Sequence, residues 1–245
     1  MYSEKGRYTI EVCLSPLFYP LYDNENIMVV ITDIFRASTA IVAAIDNGVK
    51  SIIPVKDIHE SEAYKAKGYI VAGERDGRKL DCADFGNSPF NFMEPALKGK
   101  TIVVNTTNGT QAIETVTRGN HPLAIGAFTN LDAVARYAAG QQKNLVIYCA
   151  GWKNRFSLED TLFAGALTQR LIDGYPGLFH TVCDSAIAAA DLWSQAQPDL
   201  MGYIQKAAHR HRLQKMGLDE VIPYCLSLDV TDVVPVLHNN ELVKA

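Results

Sequence analysis

An aspartate, an arginine and two hydroxyls fall close together at residues 33–39, Asp-Ile-Phe-Arg-Ala-Ser-Thr, directly after an apolar run. Asp33 stands where that run ends. Ser38 and Thr39 stand where a helix pattern begins, so their hydroxyls and the first helical N–H groups form an anion cradle. Arg36 adds a guanidinium able to clamp a phosphate through two parallel hydrogen bonds. A plainer reading of the same residues is a capped helix start with a surface ion pair. A second cradle is spelled by Thr106, Thr107, Asn108, Gly109 and Thr110. Its Asn-Gly step reaches positive φ, and its hydroxyls and backbone N–H groups suit an anion, although the Walker lysine pattern is missing.

Two further segments are rich in charge. Glu74 and Arg75 open a glycine-punctuated loop that continues to Asn87 and Ser88, and Arg75 is placed to meet a second anionic end of a substrate. Long loops of this kind in compact proteins are usually functional. Glu159 and Asp160 follow Ser157 at the start of a long helix, where acidic residues also complement the helix dipole. If they face Asp33, the three carboxylates suit a hard cation such as Mg²⁺. No histidine falls inside these four segments, and a Ser-His-Asp arrangement or a GxSxG elbow has no support. The basic run His209-Arg210-His211-Arg212 reads as solvated helix surface.

The elements that must position these residues alternate. Apolar, β-branched runs at 27–32, 51–55, 69–72, 101–105, 123–125 and 145–150 read as strands. Helix patterns at 38–46, 57–67, 110–117, 130–139 and 158–173 lie between or after them. This spacing predicts an α/β fold, three-layered α/β/α with a mostly parallel or mixed sheet, over one domain spanning residues 1–245. The run 8–14 alternates better and is expected at an edge or in an antiparallel strand. Beyond Pro176, helices are expected at 184–196 and 199–213, followed by a mixed tail with short strands at 221–236. Every candidate segment sits at a strand's carboxyl end, where open α/β sheets bind ligands.

Composition narrows the classes. The chain has 245 residues, 48% hydrophobic and 20% charged, with a net charge of −4, which argues against disorder and against a nucleic-acid surface. Residues 1–7 are polar, and no stretch is long and apolar enough to span a bilayer, so a cytoplasmic location is the expectation and no membrane partner is expected. The five cysteines are dispersed without a CxxC pair, against a disulfide framework or structural zinc. The two cradles point to a small anionic partner. A homodimer is admitted but not specified.

Taken in order, these segments and the Asp84-Phe85-Gly86-Asn87-Ser88-Pro89 run resemble the 2-phosphosulfolactate phosphatase family of coenzyme M biosynthesis. The resemblance spans about residues 27–165. It implies an α/β/α fold and Mg²⁺-dependent hydrolysis of 2-phosphosulfolactate to 3-sulfolactate and phosphate. On that basis the catalytic set is expected among Asp33, Arg36, Glu74 and Arg75, and the metal ligands among Asp33, Glu159 and Asp160. Ser38, Thr39, Asn87, Ser88 and Thr106 to Thr110 are expected to bind substrate. Asp33 is open as nucleophile, water activator or metal ligand. The second aspartate that haloacid-dehalogenase phosphatases carry two residues on is Phe35 here. Two alternatives stand beside this reading: a phosphatase for another 2-phosphorylated organic acid, and a non-catalytic binder of anionic metabolites.

Overall fold

The computed structural model describes residues 6–245, so the first five residues of the polar stretch 1–7 lie outside the described residues. Strand β1 (Tyr8–Cys13) leads through a 3₁₀ turn (Pro16–Leu21) into β2 (Ile27–Thr32), whose six residues are all buried. Burial on both faces is what a continuous apolar run demands of a central parallel strand. Helix α1 (Ala37–Asp46) follows, then β3 (Ser51–Pro54) and α2 (Ile58–Ala66). Next come β4 (Ile70–Arg75), β5 (Arg78–Lys79), the short α3 (Pro89–Phe92), β6 (Thr101–Asn105) and α4 (Gly109–Thr117). Then β7 (Leu123–Ile125), α5 (Leu131–Gln141), β8 (Asn144–Cys149) and the long α6 (Leu158–Gly174) complete the alternation.

The later third departs from the pattern. Strand β9 (Phe179–His180) is followed by α7 (Asp184–Ala196), α8 (Leu200–Tyr203), α9 (Ala208–Lys215) and α10 (Ile222–Cys225). The single helix expected at 199–213 is broken: a 3₁₀ turn and an extended, buried Ala207 (φ −70°, ψ 130°) separate α8 from α9 and reset the direction of the chain. The tail forms a hairpin, β10 (Pro235–His238) and β11 (Glu241–Lys244), joined by Asn239 and Asn240 at φ 48° and 64°. Two consecutive left-handed residues are the requirement of a type I′ turn, which matches strand twist.

All strands join one mixed sheet in the order β5-β4-β6-β3-β11-β10-β7-β2-β8-β1-β9. The sheet is α/β, as expected, but two details differ. Strand β1 pairs parallel with both β8 and β9 rather than antiparallel, and it is not the edge. Its alternation reports one half-covered face, which a period of two cannot distinguish from pairing direction. The C-terminal hairpin lies in the middle, antiparallel to β3 through Leu242 and to β7 through Val236. The three antiparallel pairings reverse the nominal sense of the two parallel sets. Strand twist of about 20–25° per step accumulates on the order of 120–150° from β2 to β4 and offsets that reversal. The carboxyl ends of β2, β4 and β6 therefore converge. The core beneath them is one large apolar cluster, with a small satellite around Val71 and Val103.

Candidate active site

At the carboxyl end of β2 the chain turns on its own side chains. Ser38 Oγ accepts the Asp33 N–H at 2.8 Å, and the Thr39 hydroxyl donates to the Ile34 carbonyl at 3.0 Å. Both hydroxyls are buried and committed to the turn. The Phe35–Arg36 peptide is cis. Asp160 fastens the same turn from α6: its two carboxylate oxygens accept the N–H groups of Ile34 (2.9 Å) and Gly151 (3.0 Å). Burial holds Asp160 well above the usual carboxylate range, with the charges of Glu159 and Asp33 pushing the same way.

The β4 and β6 loops are locked together by Glu74. Its carboxylate accepts the N–H groups of Thr107 and Gly77, both at 2.7 Å, and the Thr107 hydroxyl at 3.1 Å. Thr106 and Thr110 close on each other: the Thr110 N–H donates to Thr106 Oγ1, and the Thr110 hydroxyl donates to the Thr106 carbonyl. Gly109 begins α4 so close to the β2 turn that a Cβ there would lie 2.7 Å from the Ala37 Cβ and 3.3 Å from Asp33 Oδ2. Only glycine lets the two cradles touch.

These loops surround a cleft of about 250 Å³ lined by Asp33, Arg36, Glu74, Asn87 and Asn108, among others. Burial pushes the Asp33 carboxyl up to about 7; the positive charge of His209 opposes this, while Glu74 and Glu159 raise it further. Arg36 is 5% exposed and has no carboxylate within 4.0 Å among the described residues. Burial lowers its pKa, against the charge of Glu74. The Asn87 side-chain oxygen is buried without a hydrogen-bond partner among the described residues.

The opposite wall is α9 and Trp152. His209 is 8% exposed, and its Nδ1 lies 2.6 Å from Glu159 Oε1, which leaves Nε2 as the uncommitted ring nitrogen. Its ring packs edge-on to Phe35 (5.8 Å between centroids) and lies 5.4 Å from Trp152. Burial alone would raise the Glu159 carboxyl, but the hydrogen bond and charge of His209 outweigh it and hold Glu159 below its ordinary value. The Arg212 guanidinium stacks on the Trp152 ring at 4.6 Å. The basic run at 209–212 is thus not simply solvated surface: its first and last residues point into the cleft. At i and i+3 they share one helix face.

Of the residues expected from sequence, Asp33, Arg36, Glu74, Asn87 and Asn108 line the cleft together. Arg75 does not. It donates to the Asn105 side chain (2.8 Å) and to the Lys56 carbonyl (3.1 Å), and borders a separate, wider groove together with Thr110. Ser88 precedes α3 without making a cap bond. Ser38, Thr39, Thr106, Thr107 and Thr110 shape the loops rather than the cleft wall, and Glu159 and Asp160 stand behind it. What sequence reading missed is the wall of Trp152, His209, Arg212 and Lys215. Its legible signal was the i, i+3 spacing of His209 and Arg212.

The carboxylates also bear on Mg²⁺. Among the described residues, no three His, Cys, Asp or Glu side chains are grouped to hold a metal ion. Asp33, Glu159 and Asp160 do not form an open ligand set, because Glu159 is paired with His209 and both Asp160 oxygens accept backbone N–H groups. The oxygen donors lining the cleft include the Asp33 carboxylate and Asn87 Oδ1, the latter without a hydrogen-bond partner among the described residues. That small set does fit a magnesium ion carried in by a phosphate, since Mg²⁺ is often held by one or two protein oxygens plus substrate phosphate and water.

A mixed α/β sheet with buried acids and the buried Arg36 at its converging strand ends, and Arg212 of α9 lining the same cleft, defines an enzyme built to handle small anions. The model of the 2-phosphosulpholactate phosphatase family matches residues 13–240. The chain belongs to that family, whose name denotes phosphoric monoester hydrolysis. A "Probable 2-phosphosulfolactate phosphatase" of Caldanaerobacter subterraneus subsp. tengcongensis is 35% identical over 216 residues, covering 86% of this chain and 88% of the relative. One of Thermotoga maritima is 35% identical, covering 87% and 90%, and one of Clostridium novyi is 33% identical, covering 90% and 93%. No helix among the described residues is long and apolar enough to cross a membrane.

Proposed function

We propose that this chain hydrolyses 2-phosphosulfolactate to 3-sulfolactate and phosphate. The observation that carries the reading is Arg36, a buried guanidinium without a carboxylate partner, lining the same cleft as an aspartate whose pKa sits near neutrality. Arg36 receives the phosphate oxygens and neutralises charge that builds in the displacement. Asp33, in its ionised form, takes a proton from the attacking water as the phosphorus–oxygen ester bond breaks, and the departing alkoxide takes a proton from solvent. Glu74 holds the β4 and β6 loops in register so that Asn108 and the Gly109 backbone stay beside Asp33. Asp160 and Glu159 act from behind, one fixing the β2 turn and the other fixing His209. Mg²⁺, held by Asp33, Asn87 Oδ1 and the phosphate, would supply further neutralisation of the phosphate oxygens.

The experiment is phosphate release from 2-phosphosulfolactate, 2-phospholactate and phosphoglycolate, each with Mg²⁺ and with EDTA. Fastest release from the sulfonated substrate, lost in EDTA, is the expected result. Equal rates in EDTA remove the metal from the reading. Preference for another acid reassigns the substrate, and no release from any of them overturns the phosphatase.

A further inference from the structure

Arg36 accounts for one anionic group of a ligand, but the cleft holds a second arginine. Arg212 also lines it, and no carboxylate approaches Arg212 within 4.0 Å among the described residues. Its Nε is buried without a hydrogen-bond partner among the described residues. The neighbouring cation, Lys153, is already engaged with Asp76 at 2.8 Å. The two arginines sit in different surroundings. Arg36 shares its end of the cleft with Asp33 and Glu74, where water is activated. Arg212 lies over the Trp152 ring, 4.6 Å from its centroid, with Lys215 one helical turn on in the same cleft lining.

Packing over the indole restricts the guanidinium beside the cleft at small entropic cost. A weakly hydrated, planar cation of this kind matches an anion that spreads a single charge over three oxygens. A sulfonate does so. Phosphate, with its higher charge and stronger hydration, matches the metal-capable end instead.

We propose that Arg212, oriented by Trp152 and supported by Lys215, is the sulfonate subsite of this cleft and sets its preference for sulfonated over plain 2-phospho acids. The proposal rests on the function proposed above.

The test measures kcat/KM for 2-phosphosulfolactate and for 2-phospholactate with the wild type, Arg212→Met and Arg212→Lys. Arg212→Met is expected to reduce the ratio of the two values by about 10- to 100-fold, the usual worth of a charge-assisted hydrogen-bond pair. Arg212→Lys, which keeps charge but loses the fork, falls between. A ratio within threefold of the wild type, or a parallel loss on both substrates, overturns the subsite. A second arm needs no turnover: the shift in melting temperature given by 3-sulfolactate. The wild type is expected to be stabilised and Arg212→Met not. If the wild type hydrolyses neither substrate, the phosphatase reading falls, and this arm decides the subsite alone. No wild-type shift, or equal shifts in both proteins, then overturns it.

Discussion

Asp33 carries two costs of being buried, one in reactivity and one in stability, and both can be measured. Its folded pKa of about 7 lies above the ordinary 3.8, so the folded state favours the proton. The associated stability is fully present below about pH 4 and is lost as pH rises through 7. Asp33→Asn removes the charge without changing the side chain's size. In denaturant unfolding at pH 8 it should be more stable than the wild type by on the order of 2–4 kcal/mol, with the gap closing toward pH 4. The same variant should lose about 10²–10⁴-fold in kcat, the range of a removed general base. A variant less stable than wild type at pH 8 contradicts the burial argument. Glu159 runs the other way. His209 holds its carboxyl low, so that stability is present above about pH 4.5 and is lost as pH falls through the lowered pKa. His209→Leu leaves a buried carboxylate without its partner and should cost about 3–5 kcal/mol at pH 7, read as a drop in the denaturation midpoint.

At the scale of elements, legibility followed periodicity. Strand β2, strand β6 and helix α7 could be bounded from the sequence because each carries an unbroken apolar run or a helical stripe. The helices that begin at Ala37 and Gly109 start within a residue of the expected position. Arg75 was misplaced for a different reason: a strand-end residue alternates between faces, and pattern alone does not say which loop fold it will meet. The α9 wall was missed, although the i, i+3 spacing of His209 and Arg212 was legible, because a break at Ala207 redirects the helix and nothing in the local composition announces an extended alanine. Among the loops, Gly109 offers the sharpest test of how elements meet. Gly109→Ala places a methyl 2.7 Å from the Ala37 Cβ, so α1 and α4 must part. The expected outcome is a loss of at least tenfold in kcat/KM, with a stability cost of about 1–3 kcal/mol typical of overpacking. Activity near wild type would show that the two loops are not pressed together as described.

At the scale of the whole molecule, the tail is the keystone of the sheet. The parallel sets β4-β6-β3 and β7-β2-β8-β1-β9 share no direct strand pair; β11 and β10 join them. A reader of the sequence sees a charged terminus with an Asn-Asn step and has no local reason to place it at the centre. The pairing is decided by long-range partners, Val236 with Ala124 and Leu242 with Ile52. Since the cleft draws Asp33 from one set and Glu74 from the other, the hairpin also fixes the distance between the two halves of the site. Removing residues 239–245 should therefore do more than shorten a tail: it exposes the edges of β3 and β10 and unties the halves. The expected result is insoluble or molten protein, seen as lost near-ultraviolet dichroism. A milder change tests the same logic while keeping the fold. Asn240 occupies φ 64° in the turn, where glycine bears no strain. Asn240→Gly should raise stability by about 0.5–1 kcal/mol and leave kcat unchanged, because it tightens the hairpin without moving either half. Should that variant lose stability, the turn is not of the I′ type, and the hairpin's central role would have to rest on its strand pairings alone.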